Sequence, residues 1–232
     1  MFPAALPSAT INIMPVGDSI TQGLNTSYGS YRRYLYDLLN ADGIAFNFVG
    51  SLSDGSFPDP QHDGITGDVI NGAWGRVQTG HIIEVYDADM ILLLIGTNDV
   101  WHGSGDISAA LVTYGHLLDQ IITDGPNVKT VVGTLPPIDV SVAGSTVSSN
   151  INVFNAGLVT LVASKGANFS LVDINAGLTT SDLADGVHPT DAGNDKMAVI
   201  WESGIIQALG GFVVDGSSAV LTDDSGNNLL AW

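Results

Sequence analysis

Five short apolar runs, at residues 11–16, 46–49, 90–95, 128–135 and 169–174, alternate with longer stretches whose apolar residues recur at helical spacing. The runs are nearly continuous in Val, Ile, Leu and Phe. A strand with one wet face alternates apolar and polar residues, whereas a strand covered on both faces does not, so the runs predict parallel strands buried inside a sheet. The intervening stretches, at about 30–41, 68–86, 107–123, 148–164 and 190–209, predict the helices that cover them. Right-handed crossovers then give one α/β layer sandwich with its site at the carboxyl ends of the strands. A chain of 232 residues that is 45% hydrophobic can build such a core, and the predicted domain is 1–211. Beyond it, Phe212-Val213-Val214 and Ala219-Val220-Leu221 flank a turn signal at Asp215-Gly216-Ser217-Ser218. Residues 212–232 therefore read as a hairpin, either an edge extension or the start of a truncated module.

Charge and cysteine content narrow the function. Against 24 acidic residues stand only 6 basic ones, a formal net charge of −18, which disfavours nucleic acid and anionic membrane surfaces as partners. Without cysteine there are no disulfides, thiolate metal sites or thiol nucleophiles. No apolar stretch approaches the ~18 residues of a membrane span, and residues 1–10 carry neither the basic start nor the apolar core of a signal peptide.

Four blocks could carry chemistry. Gly17-Asp18-Ser19 ends the first predicted strand, where the chain leaves the sheet and can present a hydroxyl to a cleft. Asp185-Gly186-Val187-His188-Pro189 precedes the last helix; an aspartate three residues before a histidine can hold one ring nitrogen and leave the other for a serine. Gly96-Thr97-Asn98-Asp99 follows the most hydrophobic run, and an amide there can donate to an oxyanion, as can a backbone N–H in Gly64-Ile65-Thr66-Gly67. Taken alone, each block suits turn, cap or structural chemistry better than catalysis.

Taken in chain order, Gly17-Asp18-Ser19, Gly67, Gly96-Thr97-Asn98-Asp99 and Asp185 to His188, the four blocks resemble the SGNH subclass of GDSL hydrolases over residues 11 to about 209. The resemblance implies a flavodoxin-like three-layer α/β/α sandwich on a five-stranded parallel sheet, and ester hydrolysis through an acyl-enzyme without metal or organic cofactor. It implies Ser19 as nucleophile, His188 as general base and acid, Asp185 as the group that orients His188, and an oxyanion hole of Ser19, Gly67 and Asn98. Met14 to Thr21, Tyr31-Arg32-Arg33-Tyr34-Leu35, Phe48-Val49-Gly50-Ser51 and His62 to Gly67 are similar to the carbohydrate esterase branch that includes family 3 acetyl xylan esterases, with Asp63 standing where that branch carries glutamate. The expected substrate is a short acyl ester, acetyl foremost, on a carbohydrate, and the expected location of such an enzyme is extracellular. Asp18, His62 and Trp101 are candidate walls of the substrate pocket.

A conventional α/β-hydrolase would show Gly-x-Ser-x-Gly, but Thr21 stands two residues after Ser19. Walker A and Gly-x-Gly-x-x-Gly sequences are missing, and His62, His81, His102 and His116 lack zinc spacing. A broad aryl or alkyl esterase and a lysophospholipase-like lipase are the enzymatic alternatives. The non-enzymatic one is a calcium-dependent carbohydrate-binding module, with oxygen ligands at Asp54, Asp59 and Asp63 or at residues 223–228.

Overall fold

A computed structural model of the chain describes residues 10–24, 26 and 29–210. The predicted hairpin at 212–232, with the acidic segment 223–228, lies outside them. The strands are β1 (Ile11–Gly17), β2 (Phe46–Phe48), β3 (Leu52–Ser53), β4 (Gln61–Gly64), β5 (Met90–Leu94), β6 (Lys129–Gly133) and β7 (Phe169–Val172). The helices are α1 (Ser19–Gln22), α2 (Ser30–Ala41), α3 (Ile70–Gly80), α4 (Ile82–Val85), α5 (Thr97–His102), α6 (Ile107–Asp124), α7 (Val140–Ala163), α8 (Ile174–Gly177) and α9 (Asp191–Ala208).

The five predicted runs form a parallel sheet in the order β2-β1-β5-β6-β7. Val16, Leu93, Val132 and Leu171 make one row across it. Every residue of β5 is buried, which explains why that run reads as uninterrupted Met-Ile-Leu-Leu-Leu. Helix α2 packs on α9, and α3 packs on α6, which in turn meets α7.

Three features depart from expectation. Among the described residues the sheet has seven strands rather than five, because β4 takes over from β2 beside the end of β1, pairing Val16 with Asp63 and Gly17 with Gly64, and β3 pairs antiparallel with β4. The helix expected over 68–86 breaks in two at His81, whose φ of 48° is left-handed. The helix expected over 148–164 begins at Val140 behind an Asp139 cap and bends at Gly144.

Trp201 of α9 is the largest fully buried side chain and reaches the sheet where β6 carries only Gly133; a Cβ there would lie 3.0 Å from its ring. Tyr31 of α2 packs on its other side at 5.6 Å between centroids, so one indole joins both helices to the sheet. Trp201→Ala should cost about 3–5 kcal/mol. Urea unfolding should show this as a lower midpoint with an unchanged slope; a midpoint equal to the parent's would remove Trp201 from this role.

Candidate active site

The site begins where β1 ends. A Cβ on Gly17 would lie 2.3 Å from the Leu94 carbonyl oxygen and from Thr21 Oγ1, so only glycine lets α1 turn back this tightly against β5. Asp18 caps α1 by accepting the Ile20 N–H at 2.9 Å, and Ser19 becomes the first residue of that helix. At the far edge of the sheet, the chain after β7 passes a 3-10 turn at Thr180–Asp182 and forms a narrow loop. Leu183 bridges Pro189, the Ala184 N–H donates to the His188 carbonyl at 2.7 Å, and Thr190 caps α9.

That loop brings His188 Nε2 to 2.9 Å from Ser19 Oγ. His188 Nδ1 lies 2.7 Å from Asp185 Oδ2, while Asp185 Oδ1 accepts the backbone N–H groups of Val187 at 3.0 Å and His188 at 2.8 Å. Partial burial pushes the Asp185 carboxyl up, but these donors outweigh it and hold it below the usual carboxylate range. With Nδ1 committed to a carboxylate, Nε2 is the nitrogen that can take a proton from a serine hydroxyl. The three residues form one unbroken relay.

Gly67 and Asn98 sit on either side of β1, in the loop after β4 and in the first turn of α5. Gly67 has a φ of +78°, which favours glycine. Asn98 Nδ2 donates to the Asp68 carbonyl at 2.8 Å, and one N–H of that amide is thereby spent on orientation while the second is available to a ligand. Both residues line a cavity of about 480 Å³, whose wall also carries His102, Ser104, Asp106 and Thr113.

The predicted pocket residues fall differently. Asp18 and His62 are fully buried and do not line the cavity beside Gly67 and Asn98. His62 accepts the Gly64 N–H on Nδ1 at 3.0 Å and faces Asp54 through Nε2 at 3.1 Å. Burial and the charge of Arg32 lower it to about 4, so near neutral pH it is an uncharged brace for β4. Trp101 packs on the core and stacks against His102 at 4.4 Å between centroids, and His102 is the residue of that pair that lines the cavity.

The model of the GDSL-like lipase/acylhydrolase family matches residues 16–196. The chain belongs to that family. It is 34% identical to a multidomain esterase from Ruminococcus flavefaciens over 84% of this chain, and spans only 28% of that protein's length. Among solved structures, a family 3 carbohydrate esterase from Clostridium thermocellum matches with a TM-score of 0.76 and 31% identity, covering 87% of this chain and 98% of its own. Another, from Talaromyces cellulolyticus, matches at 0.73 and 25%, covering 86% and 98%.

Two arginines support the site without a role assigned to them from the sequence: Arg32, within the Tyr31 to Leu35 block, and Arg76, outside every block. Arg32, fully buried, donates to the carbonyls of Thr21, Gln22, Asp54 and Pro60 at 2.7–3.0 Å, tying the end of α1 to the chain between β3 and β4. Arg76 of α3 pairs with Asp63 and Asp68. The signal available was scarcity, since two of only 6 basic residues lie within or near the blocks. The three loop aspartates considered for calcium have separate partners instead: Asp54 faces His62, Asp59 accepts the Phe48 N–H, and Asp63 binds Ser51 and Arg76.

Burial, and then the charges of Asp68 and Asp99, raise the Asp18 carboxyl to about 7 against the opposing pull of its hydrogen bonds. An unfolded chain releases that proton near pH 4 (about 3.9 for aspartate). Between about pH 4 and about 7 the folded state holds a proton that the unfolded state has lost, so this group's contribution to stability falls as pH rises and is flat above. Asp18→Asn removes the slope. Urea unfolding across that window should show the variant gaining on the parent; parallel curves would mean that Asp18 is ionised throughout.

Proposed function

We propose that this protein is a serine esterase that hydrolyses short-chain acyl esters, acetyl esters foremost, on carbohydrates. The relay from Ser19 through His188 to Asp185, at 2.9 and 2.7 Å, carries the reading. Serine hydroxyl is a weak nucleophile until a base removes its proton, and the base works best with its tautomer held. Ser19 attacks the ester carbonyl as His188 takes the proton. Negative charge develops on the carbonyl oxygen, where the Ser19 N–H, the Gly67 N–H and the second N–H of Asn98 receive it. His188 then gives its proton to the departing alcohol, and the same histidine activates the water that releases the acid.

The alcohol is inferred more indirectly. Two solved structures similar to this chain are described as family 3 carbohydrate esterases. The cavity beside Gly67 and Asn98 falls within the usual range of ligand sites, about 300–1,000 Å³, and its hydroxyl, imidazole and carboxyl groups suit a partner rich in hydroxyls. A net charge of −18 works against anionic substrates at a distance. A polymeric carbohydrate substrate would place the reaction outside the cell.

Ser19→Ala should abolish ester turnover and leave thermal unfolding unchanged, whereas a carbohydrate-binding module would keep its full activity as a binder and show no turnover to lose. Asn98→Ala should lower kcat by about 10²- to 10³-fold; an unchanged kcat would remove Asn98 from the oxyanion hole. For the substrate, acetylated xylan and glucose pentaacetate should be turned over better than aryl octanoates or a lysophospholipid. Preference for the long acyl chain or the lipid would overturn the carbohydrate assignment while leaving the esterase chemistry standing.

A further inference from the structure

The oxyanion-hole residues of this acidic protein lie among carboxylates. Asp68 directly follows Gly67, Asp99 directly follows Asn98, and Asp18 directly precedes Ser19. Asp68 and Asp99 are close enough to Asp18 to raise its carboxyl, and Asp68 also adds to the rise that burial imposes on Asp99. Such a cluster opposes the negative charge that an oxyanion hole must stabilise. One cation stands against it. Arg76 Nε donates to Asp63 Oδ2 at 2.6 Å, Nη2 to the Asp63 carbonyl at 3.3 Å, and Nη1 to Asp68 Oδ2.

The same guanidinium is also mechanically placed. Asp63 is the penultimate residue of β4 and is fully buried, with Ser51 on its other oxygen at 2.5 Å. Asp68 lies beyond Gly67, so Arg76 grips the loop that carries Gly67 on both sides. Asp68 then extends the grip: its carbonyl takes one N–H of Asn98 at 2.8 Å and so sets the direction of the other. On the same side of the site, the Asp99 carboxylate accepts the Ile70 N–H at the start of α3 at 3.0 Å.

We propose that Arg76 is a positioning residue of the oxyanion hole, which holds Gly67 and Asn98 in register through Asp63 and Asp68 and cancels the carboxylate charge beside them. The inference rests on the reading of Asn98 as an oxyanion donor, and it concerns a residue that never touches substrate. A planar guanidinium reaches two carboxylates at once; the ammonium of lysine is a point charge and holds one well.

The test uses Arg76→Met, Arg76→Lys, Asn98→Ala and the Arg76→Met/Asn98→Ala double variant, with kcat and KM on an aryl acetate and thermal unfolding of each. Arg76→Met should lower kcat by about 10- to 100-fold, the scale of displacing a catalytic group by about 1 Å, with KM within about threefold of the parent because the interaction serves the transition state. Arg76→Lys should recover part of the loss. The double variant should lose clearly less than the product of the two single losses, since part of what Arg76 does passes through Asn98. If Arg76→Met does not fold, Arg76→Gln, which keeps a polar side chain but loses the charge and the two-carboxylate reach, replaces it in the same cycle. A kcat for Arg76→Met, or for its replacement, within about twofold of the parent, or a double variant whose loss equals the product of the single losses, overturns the proposal. An unchanged kcat for Asn98→Ala alone would instead overturn the oxyanion assignment on which it rests.

Discussion

A hydrogen bond of 2.9 Å joins Ser19 to His188 across 169 positions of sequence, and the rest of the structure exists between its ends. Ser19 follows the central strand β1, whereas His188 comes from the loop beyond the edge strand β7, with β5 and β6 between them. The gap is closed by a loop made stiff from within: the Ala184 to His188 bond, the bridge from Leu183 to Pro189, and Asp185 accepting two backbone N–H groups of its own loop. Helix α7 adds an outside support, since the Asp139 N–H donates to the Gly186 carbonyl at 2.8 Å. The reach from sheet edge to sheet centre therefore depends on few mobile parts.

Much of this was legible in the chain, for a physical reason. Strands covered on both faces carry long apolar runs, which is why β5 and most of β1 and β6 announce themselves; the edge strands β2 and β7 keep shorter ones around Asn47 and Ser170, and the relay is visible because Asp185 and His188 are three residues apart on one loop. The pair β3 and β4 is not legible by the same logic. Its residues, Leu52-Ser53 and Gln61-His62-Asp63-Gly64, are mostly polar, and their burial is made tolerable by distant partners: Asp54 and Arg32 around His62, Arg76 and Ser51 around Asp63. Hydrophobic periodicity carries no trace of such pairings. The errors at Asp18 and His62 have the same origin. A polar side chain inside a motif suggests exposure to a cleft, yet these two are buried to hold backbone N–H groups, those of Ile20 and Gly64.

The support of Gly67 and Asn98 was hidden for a further reason. Arg76 is separated from Asp63 by 13 positions and lies on a helix that sequence periodicity assigns only to packing. Arg76 meets the Asp63 carboxylate at 2.6 Å, and Ser51 takes its other oxygen.

The placement of the other basic residues bears on the substrate. Arg32 is committed to backbone carbonyls, Arg33 to Asp37, Arg76 to Asp63 and Asp68, Lys129 to Asn168, Lys165 to Asp119 and Lys196 to Asp182. All 6 lysines and arginines are thus engaged. A phosphate or carboxylate on a substrate gains affinity chiefly from a charged or bidentate donor, and to find one here it would have to displace an existing partner. It would do so beside a cavity whose wall carries Asp99 and Asp106. Neutral hydroxyl groups face no such competition, because carboxylates and hydroxyls accept their hydrogens directly. The scarcity of positive charge, which in the sequence argues only against nucleic acid and membranes, therefore favours an uncharged, hydroxyl-bearing ester over a phospholipid at the site itself.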